Sequence, residues 1–261
     1  MEGHIYHEND KSLKIFEVIA NDIVKEINSS TAEAILDMKE RSSNLYEHTV
    51  MVTLLSVLVG KKLKLDEHRL YNLALGCLLH DIGLRYVTIQ YEGRDLTAVE
   101  PAEMFEYKKH TILGYSALQD ETWIPQISRK MILSHHENME GTGFPMKQKY
   151  KETECRIIQA CDAFDCYISG MECKRMSVQE ALDIMIGNAG KKYDKAVVDN
   201  LVSTVAKYPV GTTVKTNVEE RGVVISQTVD PENPIIMILN TDECSERNLM
   251  LEENISILGV V

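Results

Sequence analysis

Basic residues are scarce in this sequence, with 28 Lys and Arg against 40 Asp and Glu. The resulting net charge of −12 excludes broad DNA or RNA binding, which relies on a basic footprint. It does not exclude an anionic substrate, because bound divalent ions supply local positive charge that the composition withholds. No window approaches 18 uninterrupted apolar residues, so no segment is expected to span a membrane. The opening MEGHIYHENDKS lacks the basic-then-apolar order of a signal peptide, and the expected location is the cytoplasm. No cysteine stands in a CxxC pair. Cys77, Cys155, Cys161, Cys166, Cys173 and Cys244 are scattered, which argues against a cysteine zinc cage. Cys77, Cys161 and Cys166 fall in apolar helical patterns and read as buried, reduced thiols. There is no internal repeat and no low-complexity tract.

What is present is mostly helical periodicity. The 261 residues suffice for one large domain or a domain plus a small module. Leu13, Phe16, Ala20, Ile23, Val24 and Ile27 repeat at helical spacing, as do Ala32, Ile35, Leu36 and Met38. INSSTAEA lies between these two predicted helices, with Ser or Thr as the second N-cap. A long apolar helix is predicted from about residue 44 to Val59. Asp66 caps another, which carries Leu70, Leu73, Cys77 and Leu78 and delivers His80-Asp81. Residues 84–100 look irregular. Further helices are predicted after Pro101, around 127–134, and over about 153–168, 177–187 and 194–206. From about Pro209, short β-branched runs (VGTTVKT, RGVVISQTV, PIIMILN, ISILGVV) separated by Gly, Pro, Asn and Asp predict a small β module. That module contains no histidine, and its acidic residues read as solvated surface.

Eight histidines punctuate this pattern. His4 and His7 sit in a polar tail, and His68 shares an exposed first turn with Asp66 and Glu67. His48, His80, His110, His135 and His136 fall in or at the ends of apolar helices. Singly, each would more often be a core or surface side chain than a ligand. Together they are harder to dismiss, since Asp81 adjoins His80 and His135 adjoins His136. Asp162 lies in RIIQACDAFD, where a buried carboxylate is costly unless paired or metal-bound; the other reading turns Asp162 to solvent and Asp165 to the core. Helix neighbours point about 100° apart, so His80 and Asp81 suit two ions about 3.5–4 Å apart with a bridging carboxylate, and the same is expected of His135-His136. Imidazole and carboxylate without thiolate favour Fe, Mn or Zn over Mg or Ca.

The ordered blocks YEHTV, LLHDIG, EYKKHTILGY, SHHENMEGTGFP and CDAFD resemble the HD-GYP family of the HD phosphohydrolase superfamily, over about residues 44–206. The resemblance implies an all-helical HD-type core bundle, which with the β module read from the strand pattern makes the expected fold mainly α with a small C-terminal β module. The expected division is an N-terminal helical segment (1–43), the phosphohydrolase domain (44–207) and the β module (208–261). It implies metal ligands at His48, His80, Asp81, His110, His135, His136 and Asp162. It also implies hydrolysis of cyclic di-GMP to pGpG or GMP by a hydroxide held between the metals, with His80 and Asp81 at the catalytic heart. Two divalent ions are expected, Fe or Mn before Zn. Gly141, Gly143, Phe144 and Pro145 match the family's namesake loop and are expected at the substrate.

Several positions depart from the family pattern. Leu84 stands where the family has lysine, and the neighbouring Arg85 is expected to point elsewhere. Asn44 replaces a glutamate found in three-metal members. GMECKRMS replaces an arginine-rich stretch, leaving Lys174 and Arg175 as substitutes by position alone. These departures keep two alternatives open: a cyclic-dinucleotide-binding signalling protein with little turnover, or an HD phosphohydrolase for another nucleotide. A homodimer or a signalling-protein partner is compatible with either.

Overall fold

A computed structural model describes residues 10–30, 35–239 and 245–261. His4, His7, Cys244 and the second half of INSSTAEA lie outside the described residues. The described chain is mainly α. Its helices are α1 (Asp10–Ser29), α2 (Leu45–Lys62), α3 (Glu67–Leu79), α4 (Pro101–Leu118), α5 (Gln126–Ser134), α6 (Thr153–Ser169), α7 (Val178–Gly187) and α8 (Lys195–Val202). Their starts follow side-chain chemistry. Asn44 and Asp66 each accept the backbone N–H three residues on, and Pro101 opens α4 where its missing N–H is harmless. Ser177 and Glu180 form a reciprocal capping box for α7.

The core lies where α2 packs on α3 and α6. Val52, Leu55, Val57 and Val59 of α2 meet Leu73 and Leu75 of α3 and Ile157, Cys161 and Phe164 of α6, all fully buried. α1 lies against α3, adding Ala20 and Val24 to the same core. Among the described residues, no helix is long and apolar enough to cross a membrane.

The helix expected through residues 35–40 does not form. That stretch runs as an extended strap, with Leu36 bridged in parallel to Val205. The Leu36 N–H donates to Thr204 and its carbonyl accepts from Ala206, at 2.7 and 3.0 Å. Met38 is buried at 1% exposure. Long-range partners thus satisfy the backbone that helix propensity alone would have coiled. The same pairing ends α8 at Val202, short of the expected 206, because residues 204–206 are committed to Leu36.

The C-terminal residues form an antiparallel sheet in the order β4-β3-β2-β1-β5. Its strands are β1 (Thr213–Thr216), β2 (Arg221–Ser226), β3 (Ile235–Ile238), β4 (Glu246–Asn248) and β5 (Ile257–Val260). Tyr208, Val214, Val224, Ile236, Ile238 and Leu249 form its own apolar cluster. β4 was not expected, being a short charged edge strand with no β-branched residue. The sheet is tied to the strap through Asp37, whose carboxylate accepts from the Val210 N–H at 3.0 Å.

Candidate metal centre

Five helices deliver chemistry to one buried point. α2 carries His48 in its first turn, α4 carries His110, and α6 carries Asp162 and Asp165. His80 and Asp81 follow the last residue of α3, and His135 and His136 follow that of α5. After Asp81 a 3-10 turn, Ile82–Tyr86, packs on α4. Gly83 makes that approach possible, since a Cβ there would sit 1.9 Å from the His110 carbonyl oxygen. All these side chains are at least nine-tenths buried, with His80, His110 and Asp165 fully so.

The histidines are oriented from behind. Nδ1 of His80, His110 and His135 lies 2.6, 2.8 and 2.9 Å from the carbonyls of Cys77, Tyr107 and Ile132. A carbonyl only accepts, so each Nδ1 carries a proton and each Nε2 faces inward, with its lone pair free on His110 and His135. His48 Nδ1 is held 2.7 Å from Asp165, whose two oxygens also receive Arg41 at 2.6 and 2.7 Å. Both aspartates flagged by the sequence are therefore buried, with different tasks.

The inward atoms form two groups: His48, His80 and Asp162, and Asp81, His110, His135 and His136. Asp81 spans them, with Oδ2 at 3.3 Å from His80 Nε2 and Oδ1 at 3.4 Å from His135 Nε2 and 3.5 Å from His110 Nε2. Asp162 does likewise, with Oδ1 at 3.1 Å from His48 Nε2 and Oδ2 at 3.7 Å from His136 Nδ1. His80 and Asp81 fall in different groups, as helix geometry predicts. His135 and His136 do not: they share a group, because α5 ends at Ser134 and the turn folds His136 back beside His135, ring centroids 4.2 Å apart.

This donor set fits divalent cations. His110 Nε2 and His135 Nε2 lie 3.1 Å apart, although the proton of each ring is already committed to a carbonyl. Two facing lone pairs repel unless a cation lies between or beside them. Asp81 Oδ1 and His136 Nε2, both buried, have no hydrogen-bond partner. The electrostatics agree. Burial, reinforced by His136, pushes His110 down to about 3, so it is neutral. Burial opposes charge on His80, but Asp81 and Asp162 outweigh it and raise its pKa to about 10. Burial likewise opposes ionisation of Asp81 and Asp162, yet the surrounding imidazoles hold both well below the usual carboxylate range. Cys166, at 3.9 Å from Asp162, is kept a thiol by burial.

A cavity of about 370 Å³ opens over His135, His136 and Asp162. Its roof is the glycine loop. Phe144 stacks on His136 at 4.5 Å and 24°, and Gly143 is obligatory because a Cβ would lie 2.3 Å from the His136 carbonyl oxygen. Gly141 turns the chain at φ +74, and neither it nor Pro145 lines the cavity. Glu137 and Asn138, both missed in the sequence, brace the loop. The Glu137 carboxylate accepts from the Met146 and Gln148 N–H groups, and Asn138 Oδ1 accepts from Glu140 and Thr142. Leu84 is buried in an apolar cluster with Leu96, Tyr107, Cys166 and Met171, and Arg85 is exposed beside the Tyr86 ring. Asn44 is engaged as the cap of α2.

Lys174 and Arg175 are placed otherwise than position suggested. Both are exposed and line a neighbouring cavity of about 630 Å³ with Ser42, Gln90 and Asp95. The turn after α6 instead directs Glu172 to the histidines, 3.3 Å from His136 Nε2. Half-buried Lys192, from the turn before α8, also lines the histidine cavity. Neither Glu172 nor Lys192 stands in a periodic pattern that could have singled it out.

A helical body that gathers histidines and aspartates from five successive helices defines a class, and the HD domain model matches residues 23–197. The chain belongs to the HD domain family. It is 28% identical over 217 residues to the cyclic di-GMP phosphodiesterase PA4108 of Pseudomonas aeruginosa, covering 80% of this chain and 52% of that one. It is 26% identical over 199 residues to the cyclic di-GMP phosphodiesterase PdeB of Borreliella burgdorferi, covering 74% and 51%. The chain thus spans about half the length of these curated relatives. The solved structure of Bd1817, a HDG"Y"P protein from Bdellovibrio bacteriovorus, superposes with a TM-score of 0.64 at 25% identity, over 74% of this chain and 63% of that one.

Proposed function

We propose that the protein is a metal-dependent phosphodiesterase that hydrolyses cyclic di-GMP to pGpG or GMP. The observation that carries this reading is the pair of adjoining donor groups spanned by Asp81 and Asp162. The names of the relatives in Pseudomonas and Borreliella support the choice of substrate. His48, His80 and Asp162 would hold one divalent ion, and Asp81, His110, His135 and His136 a second, Fe or Mn before Zn. Such ions, when bound, neutralise phosphodiester oxygens and acidify water.

The chain's own contributions are orientation and exclusion. Asp81 and Asp162, held ionised, cancel cationic charge and join the two groups. The Phe144 ring, stacked on His136 and with the Lys108 ammonium 5.1 Å from its centroid, lines the cavity beside them. Lys192, half-buried on the wall, is the cation available to a phosphate there, and burial lowers its pKa without a partner of opposite charge being its main influence. Replacing Lys192 with alanine should raise KM about tenfold or more, the usual cost of a charged hydrogen bond, while metal content stays at the wild-type value.

The deciding experiment incubates Fe-, Mn- or Zn-loaded protein with cyclic di-GMP, a mixed cyclic dinucleotide and nucleoside phosphates, and follows products by chromatography. Formation of pGpG or GMP is expected; no product with any of the three metals would sink the reading. One observation favours a second reading, a cyclic-dinucleotide binder with little turnover. Leu84 and Met171, from the two stretches that depart from the family, pack in one apolar cluster beside the centre. Two separate departures are therefore one local change from charge to packing. Leu84→Lys discriminates, since a gain in hydrolysis over wild type identifies a binder that has lost chemistry.

A further inference from the structure

We propose that Glu172 is an additional metal ligand, donating beside His136 to the ion held by Asp81, His110, His135 and His136. The inference rests on the reading of the cluster as a metal centre. It does not depend on which nucleotide is hydrolysed.

His136 differs from the other four buried histidines. Those four have Nδ1 anchored, three on a backbone carbonyl and one on Asp165. His136 has no such anchor, and each of its nitrogens faces a carboxylate: Nδ1 faces Asp162 at 3.7 Å and Nε2 faces Glu172 at 3.3 Å. Yet Nε2 has no hydrogen-bond partner. The Glu172 oxygen is near enough to accept a proton from it, but the two atoms are not aligned to share one. His48 Nε2 and Asp162, which belong to one donor group, stand at a like distance, 3.1 Å apart. A buried nitrogen that faces a carboxylate at contact distance and has no hydrogen-bond partner is placed to share a cation with it.

The carboxylate is also fixed in place. The Tyr107 hydroxyl, buried on α4 one turn before His110, donates to Glu172 Oε1. The backbone of the same residue is committed, since its carbonyl accepts from the Leu96 N–H at 2.9 Å. Glu172 is thus clamped at both ends, at the position where a free surface glutamate would turn to water. A carboxylate on the ion adds negative charge to a group that otherwise has one aspartate among three imidazoles, and favours a harder cation such as Mn or Fe over Zn.

The test is metal stoichiometry, read without any substrate. Wild type, Glu172→Gln and Tyr107→Phe are loaded with Mn(II), desalted and assayed by plasma mass spectrometry, with affinities from competitive titration. Two equivalents are expected for wild type. Glu172→Gln should lose one, or bind it at least about tenfold more weakly, and Tyr107→Phe should weaken the same equivalent less. Glutamine keeps the shape, an oxygen to accept from the Tyr107 hydroxyl and the backbone carbonyl that accepts from Leu96, so unchanged binding by Glu172→Gln would overturn the proposal. If wild type holds no metal, this proposal falls together with the metal reading; if wild type holds two and Glu172→Gln also holds two equally well, only this one falls. Should Glu172→Gln not fold, the anomalous map of Mn-loaded wild type decides. A Glu172 oxygen about 2.2 Å from an ion supports the assignment, and one beyond about 3 Å overturns it.

Discussion

At the scale of single residues, orientation of the histidines from behind is the main design. His48 is the vulnerable case, because its anchor is a side chain. Asp165→Ala would release the His48 ring and leave the Arg41 guanidinium facing an empty space where its carboxylate stood. The expected result is a loss of about 10–100-fold in metal affinity together with about 3–5 kcal/mol of stability. Both are measurable on one preparation, by metal titration and by urea unfolding; metal affinity within twofold of wild type would show that His48 needs no anchor. The seven ligand candidates were legible in the sequence because histidine and aspartate are conspicuous in and at the ends of apolar helices. Asp165, Arg41 and Glu172 were harder to read. Arg41 and Glu172 act from irregular segments that no period marks, and Asp165 is one turn from a more obvious aspartate.

At the scale of elements, most helices and strands were legible from caps and periodicity. Asn44, Asp66, Pro101 and Ser177 each open a helix by local chemistry alone. Ile35, Leu36 and Met38 suit a helix face equally well, so the sequence predicts a helix where the strap at 35–40 runs. What decides it is hydrogen bonding to residues 204–206, far away in sequence. The strap carries real packing, so Met38→Ala should cost about 2–5 kcal/mol in urea unfolding; a change under about 1 kcal/mol would mean that the strap lies on the core without belonging to it. β4 escaped notice for the opposite reason. Its pairing with β3 rests on main-chain bonds, and its Glu-Arg-Asn sequence has no strand preference of its own.

At the scale of the whole molecule, protons and metal ions compete for the same atoms. His48 and His80 have pKa values raised above 6.5, for His80 to about 10, because burial is outweighed by carboxylates. In the metal-free protein His80 therefore carries a second proton at pH 7, which metal uptake must displace. The sign is fixed: affinity falls as pH is lowered from 8 to 6, by up to about tenfold per unit for each proton displaced. Calorimetric titrations in buffers of different ionisation enthalpy would count those protons, and an affinity independent of pH across that range would contradict the charge state described for the centre.

Three ligands take their aim from the carbonyl three residues earlier in their own helix, at Cys77, Tyr107 and Ile132. A main-chain carbonyl is supplied by whatever amino acid occupies the position. Mutational drift at those three sites therefore leaves the aim of His80, His110 and His135 untouched, as long as the helix persists. His48 has no such insurance, since its aim is written in the side chains of Asp165 and Arg41. Three of the five histidines are thus robust to substitution around them, and His48 can lose its aim in a single step.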